Sequence, residues 1–217
     1  QHQLAAHGAQ VFADAAERGK KAGFDAIEVN DGGPHLGNSF LSPAWNRRHD
    51  EYGCDSLENR ARFVLEVLKE IKNRLGKDFP LGIIMNAAEL GIENGITIED
   101  AREFARMFEK AGVDYIQVRA CGYWEYHGIP WNEVIFSPEP PKPMSKLLDA
   151  RNNGVGALAP LAAKIKEAVS IPVITVGRIY PETGEEILRQ GKADFIAMQR
   201  RLIADPELPN KAAEGRL

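Results

Sequence analysis

The sequence predicts an α/β fold in which a parallel sheet is flanked by helices, and three observations carry that prediction. Short apolar runs of strand length alternate with longer stretches whose apolar residues recur at helical spacing. Glycine followed closely by aspartate recurs where a helix gives way to a strand, at Gly23-Phe24-Asp25, Gly112-Val113-Asp114 and Gly191-Lys192-Ala193-Asp194. A glycine there supplies the left-handed helix stop, and the next strand begins at once. The strands themselves are short and apolar, the pattern of a parallel sheet covered by its crossover helices.

Taken in order, residues 9–22 place Phe12, Ala15, Ala16 and Gly19 on one helical face that ends at Gly23. A strand over 26–29 follows, then a long loop through Asp31, Pro34, His35 and Pro43. A helix from Leu57 carries the stripe Ala61, Val64, Leu65, Leu68 and Ile71 and stops at Gly76. After a strand over 81–85, Thr97-Ile98-Glu99-Asp100 resembles a capping box that starts a helix bearing Ala101, Phe104, Ala105 and Phe108. A strand over 115–118 leads into an irregular segment, about 121–153, with five prolines. A helix near 158–169, a strand over 173–176, a helix capped by Thr183 with Glu186, a strand over 195–198 and a closing helical segment complete the chain. Five strands are visible, which leaves an open sheet and part of an eight-stranded barrel as alternatives.

Composition narrows the function. At 217 residues and 44% hydrophobic content the chain reads as one globular domain spanning 1–217. Its formal net charge of −4 is spread among interspersed acids and bases, which excludes an electrostatic footprint for nucleic acid and favours a small-molecule partner. No apolar run approaches the roughly 20 residues that cross a bilayer, and no signal-peptide pattern opens the sequence, so a cytoplasmic location is expected. The two cysteines, Cys54 and Cys121, form no metal-ligand pattern, and no metal site is expected.

A family resemblance rests on two blocks. Phe40-Leu41-Ser42-Pro43, Asn46-Arg47-Arg48, Asp50-Glu51-Tyr52-Gly53 and Glu58-Asn59-Arg60, in this order, resemble the old yellow enzyme (NADH:flavin oxidoreductase) family. ITVGRI at 174–179 and ADFIAMQRRLIADPELPNKAAEGR at 193–216 resemble the flavin-phosphate end of the same barrels. The resemblance implies a TIM (β/α)8 barrel of which the chain holds about strands four to eight, closest to the 2,4-dienoyl-CoA reductase-like branch. It further implies that the rest of the barrel belongs to a longer parent chain, the only place where an iron–sulfur cluster could lie. A homo-oligomer is compatible with it.

Within such a barrel, binding groups gather where strands end on the C-terminal face. Gly177-Arg178 and Gln199-Arg200 then fall at consecutive strand ends, where amides, guanidinium forks and a following helix can converge on the phosphate of FMN. Asn30 and Gly33 align with the family's substrate-binding pair, and His35 with the tyrosine that donates a proton in the dienoyl-CoA branch. His127, in Tyr123-Trp124-Glu125-Tyr126-His127, is the second candidate acid, and Trp124 and Tyr126 are expected to line the substrate pocket together with Asn30. Ile84 stands where the family has an arginine beside the flavin ring, and Arg119 is the nearest replacement by strand order. The implied activity is that of an FMN-dependent ene-reductase, with NAD(P)H as donor and an activated alkene or enoyl thioester as substrate. A non-catalytic barrel segment that keeps the phosphate pocket is the alternative, and a flavin-free phosphate-ligand barrel is a third reading.

Overall fold

The computed structural model describes residues 2–122 and 155–217, with side chains from residue 7 onward. In order, these form α1 (His2–Lys21), β1 (Ile27–Asn30), α2 (Leu36–Leu41), α3 (Leu57–Leu75), β2 (Leu81–Leu90), α4 (Ile98–Lys110) and β3 (Tyr115–Gly122). After the undescribed stretch come α5 (Ala159–Lys166), β4 (Val173–Val176), α6 (Pro181–Arg189), β5 (Phe195–Ala197), α7 (Arg200–Ala204) and α8 (Leu208–Ala213). The strands make one sheet in the order β1-β2-β3-β4-β5, every neighbouring pair parallel. Each crossover therefore advances one strand in the same direction, as in a barrel. A doubly wound open sheet would reverse its order at a switch point, and none occurs here.

Burial says the same. Val29, Leu81, Ile83, Met85, Ile116, Val118 and Val173 point toward the helices and are buried. On the other face, one row of register partners crosses all five strands as Asn30, Ile84, Gln117, Ile174 and Phe195. This row is only partly covered, and Phe195 remains 57% exposed. Helices cover one face of the sheet and the interior of a half-barrel forms the other.

Local chemistry explains the element ends. Ser56 caps α3 by accepting from the Asn59 amide at 3.1 Å, and Thr97 caps α4 by accepting from the Asp100 amide at 3.1 Å. The Asp100 carboxylate turns instead to Arg60, at 3.0 Å. Gly23, Gly112 and Gly191 take φ of 92°, 94° and 67°, the conformation that the repeat required.

The aspartates of that repeat have a shared task. Asp114 accepts the first amide of β2 (Leu81, 2.8 Å) and the Lys72 ammonium, while Asp194 accepts the first amide of β4 (Val173, 2.9 Å) and the Lys166 ammonium. Each ties the start of its own strand to that of the preceding one.

Four expectations need correction. Residues 36–41 form a helix rather than continuing the loop. β2 runs to Leu90 and β3 to Gly122, because pairing resumes beyond a register shift between Asn86 and Glu89. Thr183 lies inside α6, whose N-cap is Tyr180, since Pro181 is suited to the first helical turn where no amide partner is needed. The closing segment is two short helices, α7 and α8, rather than one.

Candidate active site

The stretch dense in family-like motifs builds a platform. Asn46 donates its side-chain amide to the carbonyls of Phe40 (2.9 Å) and Tyr52 (2.8 Å) and accepts from the Arg48 amide (3.0 Å). Arg48 forks onto Asp50 and lies over the rings of Tyr52 and Phe40, at 5.5 and 5.8 Å. Buried Arg60 donates to the Leu41 carbonyl at 2.6 Å and stacks over Phe104 at 5.0 Å, closing the C-terminal end of α2 against α4. These residues hold α2 in place; none lines the cavity described below.

A buried polar network continues from the platform to the strand ends. The Gly33 amide donates to Asn86 Oδ1 (2.8 Å), Asn86 Nδ2 donates to Asn38 Oδ1 (2.9 Å), and Asn38 Nδ2 donates to Glu89 (2.8 Å). Glu89 also accepts from the Ser42 hydroxyl and from the Ile96 amide (2.9 Å). One carboxylate thereby satisfies three buried donors and locks the loop after β1, the helix α2 and the turn after β2 together. Asp31, immediately after β1, is also buried. Desolvation pushes its carboxyl up to about 7, and a hydrogen bond from the Gly37 amide opposes that rise in part.

Above the half-barrel interior, the C-terminal strand ends enclose a cavity of about 580 Å³, within the range of small-molecule sites. β1 contributes Asn30, β2 Ile84, and β3 Gln117 and Arg119. Gly177 and Arg178 follow β4, and Gln199, Arg200 and Arg201 follow β5. Among the described lining residues there are four arginines and no carboxylate, so the cavity favours an anionic ligand.

The β4 end is strained as well as charged. Gly177 (φ 118°) and Arg178 (φ 46°) both take positive φ, and Arg178 is one of two non-glycine residues among those described that do so. A left-handed non-glycine residue costs about 1–2 kcal/mol, a cost commonly found where a site fixes a side chain's direction. Arg201 is held over the Tyr180 ring, 3.2 Å from its centroid.

The structure thus brings Asn30, Gly177, Arg178, Gln199 and Arg200 to one cavity. His35 is exposed at the N-cap of α2 and is not among the residues lining it. His127, Trp124 and Tyr126 lie outside the described residues. Sequence reasoning did not single out Gln117 or Arg201. Gln117 and Arg119 alternate with buried Ile116 and Val118, and that two-residue period could have placed both on the interior face. Likewise Glu89, a lone carboxylate closing the apolar run from Leu81, could have been read as a buried acceptor.

A flavin mononucleotide fits this arrangement, with a phosphate at the arginine-rich β4–β5 end and room along the strand ends toward β1.

Comparison with known proteins adds five findings. A family model described as NADH:flavin oxidoreductase / NADH oxidase matches residues 5–217. A NADH oxidase from Thermoanaerobacter brockii is 43% identical over 208 residues, covering 95% of this chain and 29% of the relative. A cinnamate reductase from Clostridium sporogenes is 34% identical over 224 residues, with 95% and 30% covered. A 2-naphthoyl-CoA reductase complexed with 2-naphthoyl-CoA superposes with a TM-score of 0.82 at 31% identity, covering all (100%) of this chain and 30% of that one. Morphinone reductase in complex with tetrahydroNAD (TM-score 0.73, 24% identity, 51% of that chain) shares the barrel fold. The chain thus spans less than a third of the length of the NADH oxidase and the cinnamate reductase it resembles.

Proposed function

The chain belongs to the NADH:flavin oxidoreductase / NADH oxidase family, and from that premise we propose that it forms the FMN-phosphate half of an ene-reductase barrel. The observation that carries the reading is the convergence of Arg178 and Arg200, from adjacent strand ends, on one cavity. When bound, FMN would supply hydride transfer from NAD(P)H to the β-carbon of an alkene conjugated to a carbonyl or thioester. A proton for the α-carbon completes the reduction, so alkene, NAD(P)H and one proton become the saturated product and NAD(P)⁺.

The chain's own residues divide this work. Arg178 and Arg200 hold the phosphate dianion, each by charge-assisted bonds. Gln199 adds a neutral donor at the β5 end, and Gly177 leaves its backbone open to close approach. Asn30, at the far end of the cavity, offers an amide to a substrate carbonyl. His35 and His127 are the candidate proton donors, each an imidazole able to act as a general acid. Trp124 and Tyr126 are the candidate aromatic contacts for the alkene. The nature of the relatives favours aryl or acyl thioesters and cinnamate-like acids as substrates.

The test is FMN binding to the full-length protein that carries these residues. A flavin absorption spectrum is expected, and replacing both Arg178 and Arg200 by Ala should weaken FMN about 10²–10⁴-fold in a fluorescence titration, since each charge-assisted bond contributes about 1.5–3 kcal/mol. Unchanged affinity would remove the phosphate assignment. Failure of the unmodified protein to take up FMN would leave the non-catalytic segment as the better reading. For proton delivery, His35→Gln or His127→Gln should slow alkene reduction about 10²–10⁴-fold while flavin reduction by NAD(P)H proceeds at its normal rate. Rapid mixing separates the two half-reactions, and normal alkene reduction in both variants would exclude both histidines.

A further inference from the structure

Arg119 stands apart from the other arginines of the cavity. It leaves β3 near its C-terminal end, where its register partner is Asn86, one inward-facing position beyond the Ile84–Gln117 pair. Its side chain then reaches back toward β1. Nη1 donates to the Gly32 carbonyl at 3.3 Å, and Cδ lies 3.1 Å from the position that a Cβ on Gly32 would occupy. Ile84 Cγ2 lies 2.6 Å from the same point, so the arginine stem and the isoleucine share the space left by the missing side chain. Among the described residues the guanidinium has that one neutral acceptor and no carboxylate in ion-pair contact, although it is half-buried. A partly desolvated cation with so little compensation is costly unless a ligand supplies negative charge.

The cavity is lined from β1 to β5. With a phosphate at the β4–β5 end, the remainder of an FMN would extend toward the β1–β3 end, where the wall is Asn30, apolar Ile84 and Arg119. Two electrons and one proton added to a flavin ring leave one negative charge on it, and Ile84 can do nothing to hold that charge. We infer that Arg119, braced by Gly32, is the cation that faces the flavin ring and favours its reduced form. The inference rests on the FMN reading above and concerns a different residue and a different property from the phosphate contacts.

Its test is the midpoint potential of FMN bound to the full-length protein, measured by dye-equilibrated reduction, together with the affinity for oxidised FMN by fluorescence. Arg119→Met removes the charge and keeps an apolar stem. It should lower the preference for reduced over oxidised flavin at least tenfold, a shift of about 30 mV toward lower potential for a two-electron couple. Arg119→Lys should retain most of the potential. Gly32→Ala provides a second route, because Gly32 is not at positive φ, and an added Cβ would meet Ile84 Cγ2 at 2.6 Å and the Arg119 stem at 3.1 Å, crowding the arginine without removing its charge. It should also lower the potential. An unchanged or raised potential in Arg119→Met overturns the inference, as does an Arg119→Lys shift as large as that of Arg119→Met. If Arg119→Met does not fold, an unchanged potential in Gly32→Ala overturns it instead. Absence of FMN from the unmodified protein is a separate result that defeats the flavin reading itself.

Discussion

Asp31 shows how a single residue can be required by shape and yet costly in charge. Its side chain is 3% exposed and receives the Gly37 amide, and a Cβ on Gly37 would fall 2.1 Å from its Oδ1, so residue 37 must be glycine for this approach. Burial raises the carboxyl from 3.8 to about 7, which means that the folded state binds the proton more tightly than the unfolded chain does. The stability it contributes is therefore fully present below about pH 4 and is lost as pH rises through about 7. Asp31→Asn keeps the shape and removes the titration. Urea midpoints of the full-length protein should fall between pH 4 and pH 8 in the unmodified form, and fall distinctly less in the variant. An equal fall in both would assign the pH dependence to other groups.

Among the elements, α2 depends most on contacts far away in sequence. It has six residues, no side-chain cap and little intrinsic stability, and it is held by Glu89 and Arg60 from β2 and α3. Glu89→Ala would leave the Asn38 amide, the Ser42 hydroxyl and the Ile96 amide without an acceptor. At about 1–3 kcal/mol for each stranded donor, a loss of about 3 kcal/mol or more is expected in denaturant unfolding. Hydrogen exchange at the Ile96 amide should quicken first, since Glu89 is its bonded partner. The Gly–Asp repeat makes a second prediction at this scale. Asp114 and Asp194 each take the first amide of the preceding strand, whereas Asp25, before β1, has no such bond among the described residues. In a closed barrel its equivalent acceptor role would be toward the strand beside β1. Asp25→Ala should then destabilise the full-length protein by about 1–2 kcal/mol and leave the isolated 1–217 chain unaffected. Equal effects in both would show that Asp25 acts within this chain.

At the scale of the whole molecule, among the described residues the half-barrel leaves β1 and β5 as sheet edges and its interior row open, with Phe195 at 57% exposure. Unpaired strand edges and uncovered apolar surface invite association. Residues 1–217 on their own are expected to self-associate in sedimentation velocity, and a monomer unfolding cooperatively would show that the sheet is self-sufficient.

Against that architecture, the sequence by itself determined the presence of the five strands and of the longer helices between them, because hydrophobic period, the Thr97 cap and left-handed glycines act within a few residues of one another. It also assembled Arg178, Arg200 and Gln199 as one group, since each stands directly after a strand and strand ends share a face. Tertiary structure alone decided what depends on neighbours distant in the chain. The one-directional strand order separated a barrel from an open sheet, and register carried β2 past Asn86 to Leu90 despite its polar residues. Long-range hydrogen bonds made a helix of residues 36–41, set Glu89 beneath it and placed His35 outside the cavity lining. Packing against Gly32 turned Arg119 across the strand ends toward the position that Ile84 leaves without charge. Local rules fix what a segment becomes; the direction of a buried polar side chain is fixed by whichever partner the fold brings within hydrogen-bonding distance.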